Sequence, residues 1–237
     1  MQHKDFSVGL PCYNEEKNIL RVLNSLIRFL KNNFKNWEIL IVDNKSKDLT
    51  SFLVKSFIER TIYKKNIKFL QNKSNIFYSG SVNKIIKYSR YKIVGIMDSD
   101  GQYDPNNFLN LYIKTLENFD LIIGRRKKRK DNLFRRCISY IFYLLSKFFI
   151  KNNLKDLNCG IRILKKNNRI KNYIQHRLNF CNPELYVRYL RCNLRITDVA
   201  VSHRDRNFGK SIHNLYNIFK TFLVVTLYLF RLSLSKK

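Results

Sequence analysis

Two aspartates one residue apart, Asp98 and Asp100, close an apolar run, Lys92-Ile93-Val94-Gly95-Ile96-Met97, that reads as a buried strand. Two carboxylates at a strand end can share one hard divalent cation. Mg²⁺ and Mn²⁺ take oxygen ligands and commonly bridge to a substrate's phosphates. In an arbitrary loop the same Asp-x-Asp is only a solvated turn, so its neighbours decide the reading. Other short apolar runs end in polar residues too: Tyr13-Asn14-Glu15 after residues 6–12, Asp43 after 37–42, and Asn72 after 67–70. A basic run, Arg125-Arg126-Lys127-Lys128-Arg129-Lys130, followed by Arg135-Arg136, reads in isolation as a nucleic-acid patch or as a solvated charge run.

The elements that must position these residues follow from apolar spacing. Within 15–32, Ile19, Leu20, Leu23, Leu26, Ile27 and Leu30 recur at helical intervals. Further helices are expected over 49–63, 79–91 and 105–118, the last with Pro105 in its first turn, where proline is tolerated. Strands are expected over 6–12, 37–42, 67–70, 92–97 and 120–123. Strict alternation of strand and helix argues for a mostly parallel sheet with helices on both faces. In such sheets a ligand sits beyond the carboxyl ends of the strands. The four polar strand ends therefore belong to one crevice. The second half reads less regularly: a long apolar helix over 132–151, strands over 157–164 and 194–203, a helix over 183–192 between them, and an apolar tail over 218–234.

A chain of 237 residues can bury a full core, and 45% apolar content is globular. Its charge is unusual: 46 Lys+Arg against 17 Asp+Glu give +29. Nucleic-acid binding, attraction to an anionic membrane, with roughly 1 kcal/mol per nearby basic residue, and a general bias toward Lys, Asn and Ile compete to explain it. The bias accounts for much of the excess, and the membrane for where it clusters. A nucleic-acid binder would leave the convergent acidic strand ends without a purpose. Five scattered cysteines without a C-x-x-C pair, and four histidines, argue against zinc and for reduced thiols. The first residues lead straight into a strand, so no signal peptide is expected.

Taken in order, Val8-Gly9-Leu10-Pro11-Cys12-Tyr13-Asn14-Glu15, Ile41-Val42-Asp43-Asn44-Lys45-Ser46-Lys47-Asp48 and Met97-Asp98-Ser99-Asp100-Gly101-Gln102 resemble a family-2 glycosyltransferase. Ile123-Gly124-Arg125-Arg126, Arg135-Arg136-Cys137-Ile138-Ser139, Asp156-Leu157-Asn158-Cys159-Gly160-Ile161-Arg162 and Arg204-Asp205-Arg206-Asn207-Phe208-Gly209-Lys210-Ser211 are similar to its polyprenyl-phosphate branch, the one typified by dolichyl-phosphate mannose synthase. The resemblance spans roughly residues 6 to 215 and implies an α/β GT-A nucleotide-diphospho-sugar transferase fold. A catalytic domain over 1–211 and a C-terminal membrane-associated or packing helix over 212–237 are expected.

Residue by residue, the resemblance implies that Pro11, Tyr13, Glu15, Asp43 and Asp98 bind the nucleotide of a UDP- or GDP-sugar donor. Asp98, Asp100 and Gln102 would hold Mn²⁺ or Mg²⁺, and Arg126, Arg135, Ser139, Arg206 and Lys210 an acceptor phosphate. Asp100, Arg126, Arg135, Ser139 and Arg206 form the expected catalytic set. One departure stands out: the family places Lys directly after the serine of the late loop, whereas here Ile212 follows Ser211 and Lys210 precedes it. His203, just before that loop, reads as structural.

Acceptor chemistry points the same way. A saccharide hydroxyl needs a general base. A phosphate monoester, with a second pKa of about 6, is already largely anionic. The second half is rich in Arg and poor in carboxylates, so a polyprenyl phosphate is expected to attack the anomeric carbon with inversion. The alternative is a family-2 enzyme acting on a saccharide, with Asp156 as base. A lipid acceptor requires membrane contact. The tail run Phe222-Leu223-Val224-Val225-Thr226-Leu227-Tyr228-Leu229-Phe230 is shorter than the ~20 residues of a bilayer span. It suits a helix lying in the interface, with a tilted span or a packed or dimerising helix as alternatives. The expected location is peripheral, on the cytoplasmic face of the membrane, with a homo-oligomer allowed.

Overall fold

The computed structural model describes residues 3–127, 133–176, 181–205 and 218–234. Among them a seven-stranded sheet runs in the order β3-β2-β1-β4-β6-β5-β7. Its strands are β1 (His3–Cys12), β2 (Phe34–Asp43), β3 (Ile67–Gln71), β4 (Ile93–Met97), β5 (Leu121–Arg126), β6 (Ile161–Lys165) and β7 (Ile196–Val201). Neighbours pair in parallel except across β6, which is antiparallel to both β4 and β5. The helices are α1 (Ile19–Asn33), α2 (Thr50–Arg60), α3 (Phe77–Tyr88), α4 (Asn107–Leu116), α5 (Leu133–Ile150), α6 (Asn182–Arg191) and α7 (Ile218–Leu234).

The central strands are buried on both faces, which is why β1, β2 and β4 read as nearly unbroken apolar runs rather than alternating ones. Helix α1 buries Ile19, Val22, Leu23, Leu26, Ile27 and Leu30, a stripe at 3.6-residue spacing. Helix α3 lies directly on the sheet. A Cβ on Gly9 of β1 would stand 2.1 Å from the Ile85 side chain, so only glycine permits this approach. At the opening of β1, farthest from the carboxyl ends, Phe6 stacks on Phe34, and Phe108 and Tyr112 meet them edge-on. The aromatic weight thus sits away from the end that carries the chemistry.

Two sequence expectations change the most. Helix α1 starts at Ile19 rather than at residue 15, because Glu15 and Asn18 form a preceding turn in which Asn18 N–H donates to the Glu15 carbonyl at 2.9 Å. The strand expected over 157–164 begins only at Ile161, and it runs backwards. Met97 pairs with Ile161, so residues 156–160 lie as a loop at the same end of the sheet as the Asp-x-Asp turn. A reversed strand brings the segment before it to the end where parallel strands bring the segments after them.

Candidate active site

The ends of β1, β2, β3 and β4 are sewn together by side chains. Cys12 and Asp43 pair in register, as do Asp43 and Gln71. After β1, Asn14 adopts a left-handed φ of 56°, which Asn tolerates better than most residues. Its N–H donates to Ser46 Oγ at 2.9 Å, and its side-chain oxygen accepts from Lys47 N–H at 2.8 Å. Glu15 N–H donates to Thr50 Oγ1 at 2.8 Å, and the Glu15 carboxylate accepts from Asn18 Nδ2 at 2.8 Å. Asn44 collects Ile76 N–H and Asn72 Nδ2 on its carbonyl oxygen, tying β2 to the start of α3. The Tyr13-Asn14-Glu15, Asp43, Asn72 and Asp-x-Asp segments therefore meet at one end of the sheet.

Asp43 is fully buried and its carboxylate is well supplied. Ser46 Oγ donates to one oxygen, Ser51 Oγ to the other at 2.6 Å, and Gln71 Nε2 adds a longer contact at 3.4 Å. Here Asp43 organises the loop after β2. Pro11 contributes its carbonyl, which accepts from the buried Ser99 hydroxyl at 2.8 Å. Ser99 is the middle residue of Asp-x-Asp. Its hydroxyl points inward, while Asp98 and Asp100 on either side of it are partly exposed.

Asp98 is held on several sides. Its N–H donates to the Gly160 carbonyl at 3.2 Å, and its Oδ1 accepts from the Tyr78 hydroxyl at 2.8 Å. Its Oδ2 lies against Gly160, where an added Cβ would sit 2.0 Å away. Burial, and then the Asp100 carboxylate, push its pKa up to about 6, while Arg162, the Tyr78 hydrogen bond and Arg126 pull it down. Two crowded carboxylates that resist joint ionisation are a donor set a divalent cation relieves. Asp100 Oδ1 accepts from Gln102 N–H at 3.1 Å. The Gln102 side-chain nitrogen donates to the Arg204 carbonyl at 3.2 Å, so its oxygen is the atom it has to offer. Asp98, Asp100 and Gln102 thus fit Mg²⁺ or Mn²⁺. Among the described residues no group of three His, Cys, Asp or Glu is assembled, so the remaining ligands would be water and phosphate oxygens.

On the far side of the turn, Arg126 ends β5 and is locked to Asp156 of the loop before β6. Its Nε and Nη2 donate to the two carboxylate oxygens at 2.8 Å each, and its backbone N–H adds a third bond at 3.1 Å. Burial alone would lower the pKa of Arg126, but Asp156 more than restores it, and the guanidinium stays charged. Ser139 lies partly buried on α5. The side chain of Arg135, on the same helix, lies outside the described residues, as do Arg206 and Lys210 altogether. His203 packs edge-on to Tyr103 with ring centroids 5.1 Å apart. Tyr103 in turn supports the 156–160 loop by accepting from Gly160 N–H at 3.0 Å.

Two residues without an expected role stand behind the site. Arg162 of β6 is fully buried, and its Nη2 donates to the Tyr78 hydroxyl. An arginine between Ile161 and Ile163 in an apolar strand was itself a signal, since a buried guanidinium needs a reason. Nothing local in the sequence distinguishes Tyr78 from the other tyrosines.

The Glycosyl transferase family 2 sequence model matches residues 7–173. A dolichyl-phosphate beta-glucosyltransferase of Dictyostelium discoideum is 28% identical over 222 residues, covering 86% of this chain and 68% of that protein. A dodecaprenyl-phosphate galacturonate synthase of Rhizobium johnstonii is 26% identical over 95% of this chain and 65% of its own length. An undecaprenyl-phosphate 4-deoxy-4-formamido-L-arabinose transferase of Salmonella choleraesuis is 26% identical over 91% and 64%. The chain therefore spans about two thirds of the length of these relatives. Among solved structures, glucosyl-3-phosphoglycerate synthase of Mycobacterium tuberculosis, crystallised with Mn²⁺, UDP-glucose and phosphoglyceric acid, superposes with a TM-score of 0.70 at 14% identity, covering 95% of this chain and 79% of that one. At that identity the likeness is one of fold: a GT-A glycosyltransferase fold.

Proposed function

The chain belongs to glycosyl transferase family 2, and from that premise we propose that it moves a sugar from a nucleoside diphosphate to a polyprenyl phosphate at a membrane surface. Three relatives named as polyprenyl-phosphate sugar transferases support the acceptor class. The observation that carries the reading is the state of Asp156. A hydroxyl acceptor needs a free carboxylate as base, and both oxygens of Asp156 are engaged by Arg126. Glu184 is engaged by His176 and Arg188, and Asp198 by Arg125. A phosphate acceptor needs no base.

In this reading Pro11, Tyr13, Glu15 and Asp43 shape the nucleotide site, and Asp98, Asp100 and Gln102 hold Mn²⁺ or Mg²⁺. The ion supplies charge compensation for the departing nucleoside diphosphate. Arg135, Ser139, Arg206 and Lys210 orient the acceptor phosphate, and Arg126, with its Nε and Nη2 already on Asp156, adds positive charge beside it rather than a bidentate grip. One of its oxygens forms a bond to the anomeric carbon from the face opposite the donor as the bond to the diphosphate breaks, and the configuration inverts.

The membrane contact is assigned to α5 and α7. They pack side by side, with the Phe149 and Phe230 rings 6.1 Å apart, and leave Leu144, Phe148, Leu223, Leu227 and Phe230 largely exposed. No described helix is long and apolar enough to cross a membrane. Residues 1–211 would form the catalytic domain and 212–237 its interfacial tail, on the cytoplasmic face.

Purified protein supplied with Mn²⁺ or Mg²⁺, a panel of UDP- and GDP-sugars, and undecaprenyl phosphate in detergent tests this. The expected result is a glycolipid that requires the ion and is lost in Asp100→Ala. Ion-dependent donor hydrolysis with no glycolipid would move the acceptor to a saccharide.

A further inference from the structure

Arg162 is a fully buried cation with no carboxylate in contact with it among the described residues. Its Nη1 reaches only the Cys181 sulfur at 3.5 Å, and its Nε has no hydrogen-bond partner. A guanidinium taken out of water without a counter-charge is costly. The counter-charge lies one hydroxyl away. Tyr78 accepts from Arg162 Nη2 and has a single proton to give, which it donates to Asp98 Oδ1 at 2.8 Å. The chain is therefore directional, from cation through hydroxyl to carboxylate. The backbone is bent to make it. Phe77, the first residue of α3, sits at φ 59°, a costly conformation for a bulky side chain, and its N–H is held by Asn75 Oδ1 at 2.8 Å. That strained start is the turn that delivers Tyr78 to the sheet end.

We propose that Tyr78 and Arg162 are positioning residues: they hold Oδ1 of Asp98 so that Oδ2, in the space left by Gly160, is presented to the divalent ion and the donor diphosphate. Partners behind a ligating group fix its orientation, and their loss typically weakens ion affinity about 10–100-fold. The proposal rests on the ion-site reading above, and its test separates the two.

The test is Mn²⁺ binding followed by electron paramagnetic resonance and calorimetry, with UDP and with GDP, on the full chain. Wild type is expected to bind the ion together with one nucleotide. Tyr78→Phe, which keeps the ring, is expected to weaken that binding about tenfold or more while the far-ultraviolet circular dichroism stays native. Arg162→Lys is expected to weaken it as well, but to add little in the Tyr78→Phe background, because its influence passes through the hydroxyl. If wild type binds and Tyr78→Phe binds equally well, the positioning role is overturned and the ion site survives. Additive effects of the two substitutions would overturn the relay. If wild type binds neither ion nor nucleotide, the functional reading falls and this inference falls with it.

Discussion

Asp98 is where the residue-scale argument concentrates. It is crowded by Asp100 and partly buried, and its raised pKa has a sign that can be worked out. The folded chain holds this proton more tightly than the unfolded one. Its contribution to stability is therefore full at acid pH and is lost as pH rises toward and through about 6. A bound cation reverses that loss, so Mn²⁺ with a nucleoside diphosphate is expected to raise the melting temperature more at pH 7.5 than at pH 5. Equal shifts, read by scanning fluorimetry, would show that Asp98 is not the group the ion relieves. Gly160→Ala places a methyl against Oδ2 and is expected to lower Mn²⁺ affinity by about tenfold or more. Asp156→Asn breaks a buried, bidentate pair and is expected to cost about 3 kcal/mol, which at this chain length lowers the melting temperature by roughly 6–12 °C. Lost turnover at an unchanged melting temperature would instead make Asp156 a base. Apolar runs mark the strand end that carries Asp98 and Asp100, and the family resemblance adds Gln102. The sequence could not show that Arg126 would be taken up by Asp156, since that pair joins positions 30 residues apart through the tertiary fold.

At the scale of elements, the two apolar helices divide their labour. Helix α7 buries Val225, Tyr228, Leu229 and Leu232, and turns Leu223, Leu227 and Phe230 outward. It is anchored by Arg191 Nη2 donating to the Leu232 carbonyl at 2.6 Å and by the Tyr228 hydroxyl over Glu184 at 3.5 Å. One face of this helix is thus packed, and the opposite face is the exposed one the membrane reading needs. Leu227→Glu with Phe230→Glu is expected to abolish binding to anionic liposomes with little change in melting temperature. Leu229→Ala, in the packed face, is expected to cost about 2–5 kcal/mol. Liposome binding that survives the double substitution would locate the contact elsewhere. Nearly every element was legible, because helical and strand periodicities differ and each helix here carries its own apolar stripe. The direction of β6 was not. Apolar alternation marks a strand but carries no sign, and only the pairing of Met97 with Ile161 sets which way it runs.

For the whole molecule, the sheet has a seam. Strands β1 to β4 are neighbours in sequence and pair among themselves, and the aromatic cluster at the start of β1 gives that half its own core. Strand β5 pairs with none of them. It joins them only through β6, which follows it after the whole of α5, while β7 pairs on its outer side. The Asp-x-Asp turn depends on the same seam, since Asp98 is closed from behind by Gly160 and reached by Arg162 through Tyr78. On the ribosome this order becomes a schedule. Synthesis at about 5–20 residues per second leaves β5 without a strand partner, and the apolar α5 without α6 and α7, for seconds after β4 has docked. During that interval the nascent chain shows its stickiest segment to whatever is nearest, a chaperone or the membrane itself. Chains arrested before β6 emerges are expected to yield a protease-resistant fragment covering β1 to β4 while β5 is cut, with protection of β5 appearing only once β6 is out.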